Sequence, residues 1–275
     1  MRILGIHGIG NYRPGESPET ATEQLSSIWA KQLAAGADRA GRAWEVETVY
    51  YADLLRAPGR QGDDSELDDM SAEEEELLRL FLPARQAAGD RVPQGRLTAF
   101  LRAEIADIAA SQACNPRVLE WLMGRLVREV ARYLTVGPAR EQVQNRLTEA
   151  IERHRPDVLI AHSLGSVVAY ETLHGHQGPA VPLWVTLGSP LAAPKAIFHR
   201  LTPAPVGGFG SRPERARRWA NLADPGDLVA IPAKGVSRCF TGVESDRHDL
   251  IHAFDFHKAA NYLKAPQLAR LLATV

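Results

Sequence analysis

Val158-Leu159-Ile160-Ala161-His162-Ser163-Leu164-Gly165-Ser166 carries an apolar run into a serine flanked by small residues. Val167-Val168-Ala169-Tyr170-Glu171 then leaves it with helical character. A serine between a buried strand and a helix, with glycine two places on, has the pattern of a nucleophile elbow. Only small residues fit beside so tight a turn. The bend lifts Oγ clear of the backbone, where a base can reach it. It also turns the free N–H groups of the helix start toward the same point, which suits a developing negative charge.

Outward from that turn, strand and helix signals alternate. Upstream, Val143, Leu147 and Ile151 form one apolar stripe and predict a helix over about 138–154, followed by a strand over 157–161. Downstream, a helix is expected over 164–174, then a strand from Val181 to Leu187 ending in Gly188-Ser189-Pro190. A Pro/Gly-rich loop spans 202–213, and strands are expected at Arg217–Ala223 and Val236–Thr241. A last helix is expected over about 257–273. At the other end, residues 2–6 read as a short buried strand. Ser17-Pro18 reads as an N-cap with proline at the first helical position, and Leu25, Ile28, Trp29 and Leu33 follow at helical spacing. Residues 44–51 alternate as a strand, so the opening is a βαβ unit.

Residues 53–135 interrupt this rhythm. Positions 63–76 hold nine acidic residues and no basic one, the pattern of a solvated loop and helix start. Leu97, Phe100, Leu101, Ile105 and Ile108 mark one amphipathic helix, and Leu119, Leu122, Leu126, Val130 and Tyr133 a second. Two placements are open: a cap over the sheet, or ordinary packing on one sheet face.

Composition narrows the function classes. The chain has 275 residues, of which 45% are hydrophobic, enough for one large domain with a full core. A net charge of -1 offers no basic surface for nucleic acid or an anionic membrane. No apolar run approaches the roughly 20 residues of a membrane helix. The start, Met1-Arg2-Ile3-Leu4-Gly5-Ile6, lacks the features of a secretory signal, so a cytoplasmic location is expected. Cys114 and Cys239 lie far apart and read as reduced thiols. The phosphate-cradling glycine motifs are missing. His248 and His252 stand four apart but lack the glutamate of a zinc motif, so no cofactor and no metal are expected.

Serine needs a base, and a histidine held by a carboxylate serves. In elbow hydrolases the chain order is serine, acid, histidine. Here Ser163 is followed by Asp224-Pro225-Gly226-Asp227-Leu228-Val229 and then by His248, His252 and His257. Asp224 and Asp227 both stand as the acid. His257 stands as the base because it begins the last expected helix, with His252 as its rival. Ser189 is set aside as a nucleophile because Pro190 removes the amide an oxyanion would need.

With these patches in view, the chain resembles the α/β-hydrolases, in their lipase- and esterase-like part. The matching patches are His7-Gly8-Ile9-Gly10, the Ser163 elbow, Leu187-Gly188-Ser189-Pro190, Asp227-Leu228-Val229, and His257 with Tyr262. Ala161 replaces the first glycine of the elbow pattern, and the insertion matches nothing in the family. The resemblance implies an α/β fold over 1–275, with a mostly parallel central sheet flanked by helices; the 53–135 insertion reads as a helical cap from its own amphipathic helices alone. It implies Ser163 as nucleophile, Asp227 as acid, His257 as base, and backbone N–H groups of Ile9 and Leu164 as the oxyanion hole. His162, Ser189, Phe198 and Phe209 are candidates to line the substrate, the two rings pointing to an apolar pocket. The expected activity is a serine hydrolase that cleaves a small or lipophilic carboxylic ester through an acyl-enzyme. A thioesterase or amidase on the same triad, and a non-catalytic binding protein using the acidic segment, stand as alternatives.

Overall fold

A computed structural model describes residues 1–37, 44–56, 67–82, 97–111, 115–175, 177–251 and 257–275. Chain order begins β1 (Arg2–Ile6), α1 (Pro18–Gly36), β2 (Glu45–Val49), α2 (Ala72–Phe81), α3 (Leu97–Ser111), α4 (Pro116–Thr135) and α5 (Gly137–His154). It continues β3 (Val158–His162), α6 (Leu164–Gly175), β4 (Val181–Leu187), β5 (Gly210–Ser211), β6 (Ala216–Ala223), α7 (Gly235–Cys239) and β7 (Phe240–Thr241). β8 (Ser245–His248), α8 (Ala259–Leu263) and α9 (Pro266–Leu272) complete it.

Six strands form one sheet in the order β2-β1-β3-β4-β6-β8, and every neighbouring pair is parallel. A parallel sheet needs cover on both faces, and the strand sequences supply it by alternation. Leu4, Ile6, Leu159, Ala161, Trp184 and Trp219 enter one core, shared with α4, α5 and α6. Ile3, Val158, Ile160, Leu183, Val185 and Leu222 enter the other, shared with α1, α8 and α9. Trp184 and Trp219 are register partners on β4 and β6, with stacked rings 4.5 Å apart. This α/β sandwich with a parallel central sheet is compatible with the hydrolase fold expected from sequence.

Order reverses at β1 and β3: the chain runs outward from β1 to β2, then crosses back to β3 on β1's other side. Parallel sheets place ligands at the carboxyl ends of strands beside such a switch point. The loop after β1 and the turn after β3 meet there.

α6 is buried on all sides from Leu164 to Leu173, because it lies between the sheet and α5. Glu171 anchors it. Its carboxylate accepts from Tyr133 (2.7 Å), Gln144 (3.0 Å), the Thr202 amide (3.0 Å) and the Arg140 guanidinium. That joins α4, α5 and the loop after β4 to the helix that follows Ser163.

α2, α3 and α4 pack on one another, and α4 packs on α5. Insertion residues Leu77, Leu78, Phe81, Leu101, Ile105, Leu126 and Val130 thus extend the core of one sheet face outward. The acidic run is used in part as a helix start. Ser71 caps α2 and exchanges hydrogen bonds with Glu74, and Glu73 and Glu75 share that first turn, where the helix dipole favours negative charge. Asp63, Asp64 and Glu66 of the run lie outside the described residues.

Two expectations need correction. Val236–Thr241 is a short helix from Gly235 followed by a two-residue strand, and the sheet's edge strand is instead the polar Ser245–His248. The last helix is two, because Pro266 cannot continue α8 and starts α9. His174 ends α6 half-buried with its ring edge-on to Tyr170. Cys239 is a free thiol, and Cys114 lies outside the described residues. Among the described residues, no helix is long and apolar enough to cross a membrane.

Candidate active site

Ser163 has φ +53°, in the left-handed region that a non-glycine residue adopts only when its surroundings over-determine it. Three contacts impose it. The Ser163 amide donates to the Leu187 carbonyl at 3.0 Å, and Ser166 returns both its amide (2.9 Å) and its hydroxyl (2.6 Å) to the Ser163 carbonyl. Ser166 Oγ also lies 2.7 Å from Ser189 Oγ. Ser189 is therefore buried and tied to the Ser163 turn through Ser166.

Glycine makes the turn possible. A Cβ on Gly165 would lie 2.5 Å from the His7 carbonyl oxygen and 2.7 Å from that of Ile6. A Cβ on Gly8 would lie 2.5 Å from Ser163 Cβ. Ala161 replaces the other glycine at no steric cost, because its methyl points into the core shared with α5 and α6.

His257 Nε2 sits 3.0 Å from Ser163 Oγ, and its Nδ1 lies 2.8 Å from both oxygens of Asp227. Asp227 only accepts, so Nδ1 carries the proton and Nε2 accepts from the serine hydroxyl. Asp227 Oδ1 also accepts from the Val229 amide at 2.9 Å, and Oδ2 from the Tyr262 hydroxyl at 2.7 Å. Burial raises the Asp227 pKa, but the His257 charge and these hydrogen bonds outweigh it and hold the carboxyl below its ordinary value. Burial and the Asp227 charge push the Tyr262 phenol well up, so it stays a donor.

The rival aspartate has other partners. Asp224 accepts from the amides of Gly226 (2.8 Å) and Ile251 (2.6 Å), and its own amide donates to Tyr262 Oη at 2.9 Å. It shapes the turn, while Asp227 faces the histidine. His252 lies outside the described residues. Tyr262 and Gly188 complete the constellation without having been given roles from sequence. A Cβ on Gly188, at φ +53°, would lie 2.7 Å from Asp227 Oδ2.

The loop after β1 closes the other side. His7 Nδ1 donates to the Gly8 carbonyl at 2.6 Å, and Asn11 donates to the carbonyls of Gly8 (2.9 Å) and Ile9 (3.1 Å). Tyr51 donates its hydroxyl to the His7 carbonyl at 2.8 Å, and Gly10 gives its amide to Glu129 of α4 at 2.8 Å. Three successive carbonyls are thus taken while the Ile9 amide keeps no described acceptor. Leu164 opens α6, so its amide is one of the four that a helix start leaves without an intrahelical partner. Ile9 and Leu164 flank Ser163 from two elements.

His162 points behind the elbow: its Nε2 donates to the His257 carbonyl at 3.0 Å. Phe198 is buried with its ring edge-on to Phe240, and Phe209 is 55% exposed. The apolar pocket expected from those two rings is not built by them: one packs in the core and the other faces solvent. Among the described residues, no cluster of three or more His, Cys, Asp or Glu is arranged to hold a metal. Ser163 itself has no exposed surface.

Two histidines near the serine are uncharged by construction. Burial lowers the His7 pKa from 6.5 to about 4, and its Nε2 is occupied by the Tyr51 amide at 3.1 Å. Burial, then the charge of His257, lowers that of His162 from 6.5 to about 3. In the unfolded chain both take protons below about pH 6.5, so the unfolded state binds more protons in acid. Their contribution to stability is whole above that pH. It is lost as pH falls toward about 4 for His7 and about 3 for His162. Urea unfolding at pH 7 and pH 5 should show the loss, on the order of 1 kcal/mol per pH unit for each ring. His162→Gln should remove one share of it. Equal acid sensitivity in the variant and wild type would mean that His162 is already protonated when folded.

Comparisons of the chain with protein-family models, curated proteins and solved structures return no match.

Proposed function

We propose that this chain is a serine hydrolase of the lipase- and esterase-like kind, cleaving a small-molecule carboxylic ester through an acyl-enzyme. The observation that carries the reading is the unbroken hydrogen-bonded line Ser163 Oγ–His257–Asp227, with steps of 3.0 and 2.8 Å. In this reading His257 takes the serine proton as Oγ attacks the carbonyl. The tetrahedral oxyanion falls to the Ile9 and Leu164 amides, each worth about 3 kcal/mol of barrier. His257 then gives the proton to the leaving alcohol, and water repeats the sequence to release the acid. Burial of the whole line strengthens its electrostatics by excluding water.

A fluorophosphonate probe tests this. Folded wild type is expected to be labelled at Ser163, and Ser163→Ala to be unlabelled. Failure of folded wild type to react would remove the hydrolase reading and leave a binding role. Esters of rising chain length, run beside thioesters and amides, then fix the leaving group.

The two aspartates separate by kinetics. Asp227→Asn is expected to lower kcat by about 10⁴-fold, because the imidazole is no longer held with its proton on Nδ1 and loses its counter-charge. Asp224→Asn should cost less than about tenfold, since the Asp224 carboxylate accepts from the backbone amides of Gly226 and Ile251 while Asp227 faces the histidine. Comparable losses in the two variants would mean that Asp227 is not the histidine's partner in turnover.

A further inference from the structure

A second charged site lies beyond the loop after β1. A cavity of about 190 Å³ sits between residues 52–56, the start of α2 and one face of α4. Its charged lining is Arg56, Arg125, Arg128 and Arg132 against Glu73, Glu74 and Glu129. Each carboxylate already has work. Glu73 faces Arg200 at 4.0 Å. Glu74 faces Arg128 at 3.9 Å and accepts from the Ser71 amide at 2.8 Å. Glu129 holds the Gly10 amide. Arg132 differs: its Nε is buried without a hydrogen-bond partner.

Arg125, Arg128 and Arg132 follow at helical spacing and share one face of α4, where like charges repel. A buried guanidinium nitrogen without a partner is costly unless an acceptor reaches it. Its planar fork of donors matches the oxygens of a carboxylate or phosphate. We propose that this cavity binds the oxyanion group, phosphate or carboxylate, of a small anionic ligand, with Arg132 as its principal contact. The binding itself does not depend on the hydrolase reading. Its position bears on that reading, however. Arg125 lies 3.8 Å from where a Cβ on Gly10 would stand, and Glu129 grips the same residue, one place from Ile9.

Calorimetric titration of the intact protein with inorganic phosphate and with glutarate tests the site, beside Arg132→Met, Arg132→Lys and the distant Arg218→Gln. One-to-one binding to wild type is expected. It should weaken about tenfold or more in Arg132→Met, recover in part in Arg132→Lys and stay unchanged in Arg218→Gln. No binding of either anion to folded wild type would overturn the proposal, as would equal binding by wild type and Arg132→Met. If Arg132→Met does not fold, weaker binding by Arg132→Lys than by wild type carries the same support, and equal binding overturns it. These heats need no turnover, so their failure is distinct from failure of the hydrolase reading. Where turnover is present, kinetics identify the source of the anion. Phosphate that raises KM for an ester with a distal carboxylate, but not for a neutral ester, marks the substrate's own end. Phosphate that changes kcat for both marks a free effector.

Discussion

Ser163→Ala and His257→Ala are each expected to lower kcat on an activated ester by on the order of 10⁴- to 10⁶-fold, and the double variant to be no slower than the singles. The hydroxyl and the imidazole act on one proton. Without Oγ there is nothing for Nε2 to deprotonate; without Nε2 the hydroxyl at 3.0 Å keeps its proton at neutral pH. Losing the second member therefore removes little that the first has not. On the proposed hydrolase reading, what survives is catalysis by the two amides and by substrate binding, about 10³- to 10⁴-fold over water. Both variants should melt close to wild type, because each removes a polar group from a site held by many other contacts. Ser166, Ser189 and the Leu187 carbonyl keep the turn in Ser163→Ala. Steady-state kinetics on all three variants decide the matter. Losses that multiply in the double variant would show two residues acting independently, and the single-proton mechanism would fail with them.

What was legible in the sequence follows what local chemistry can encode. Val181–Leu187 is legible because a strand buried on both faces must be apolar throughout, and it lies at the expected residues. Ser245–His248 is not, because an edge strand can be polar; its place is set by pairing with β6 and by the Asn221 side chain donating to Asp246 at 2.8 Å. The break at Pro266 is visible in the residue itself, which lacks the N–H to continue α8 and can open α9. In the site, Ser163 and the order serine, acid, histidine can be read along the chain. The choice between Asp224 and Asp227 cannot, since both belong to one turn. The choice is made by the side chain of Tyr262, which accepts from one residue's amide and donates to the other's carboxylate across 35 residues or more. Gly188 is equally silent: only the fold brings Asp227 to where its Cβ would be.

Gly165→Ala is expected to be strongly destabilising, by about 3 kcal/mol or more. The added carbon would lie 2.5 and 2.7 Å from the carbonyl oxygens of His7 and Ile6, which are backbone and cannot rotate away. Those two carbonyls belong to β1 and to the loop that carries Ile9, while Gly165 sits two residues past the nucleophile. Relief of the clash must therefore part the elbow from that loop. The Ile6–Ala161 register and the hydroxyl bond from Tyr51 to His7 both oppose this. For a chain of this size, 3 kcal/mol is a fall in Tm of roughly 6 °C or more. On the proposed hydrolase reading, activity should fall further than stability explains, because the loop that carries Ile9 would shift relative to the Ser163 turn. Gly137→Ala is the control: a Cβ there meets nothing within 4 Å and sits at the first turn of α5. It should leave Tm close to wild type, since alanine is the better helix former while Pro138 restrains a helical residue before it. Thermal unfolding of both variants, with kcat measured below the transition, separates the outcomes. If Gly165→Ala melts with wild type, the close approach between elbow and first loop is not what holds Ser163 at φ +53°.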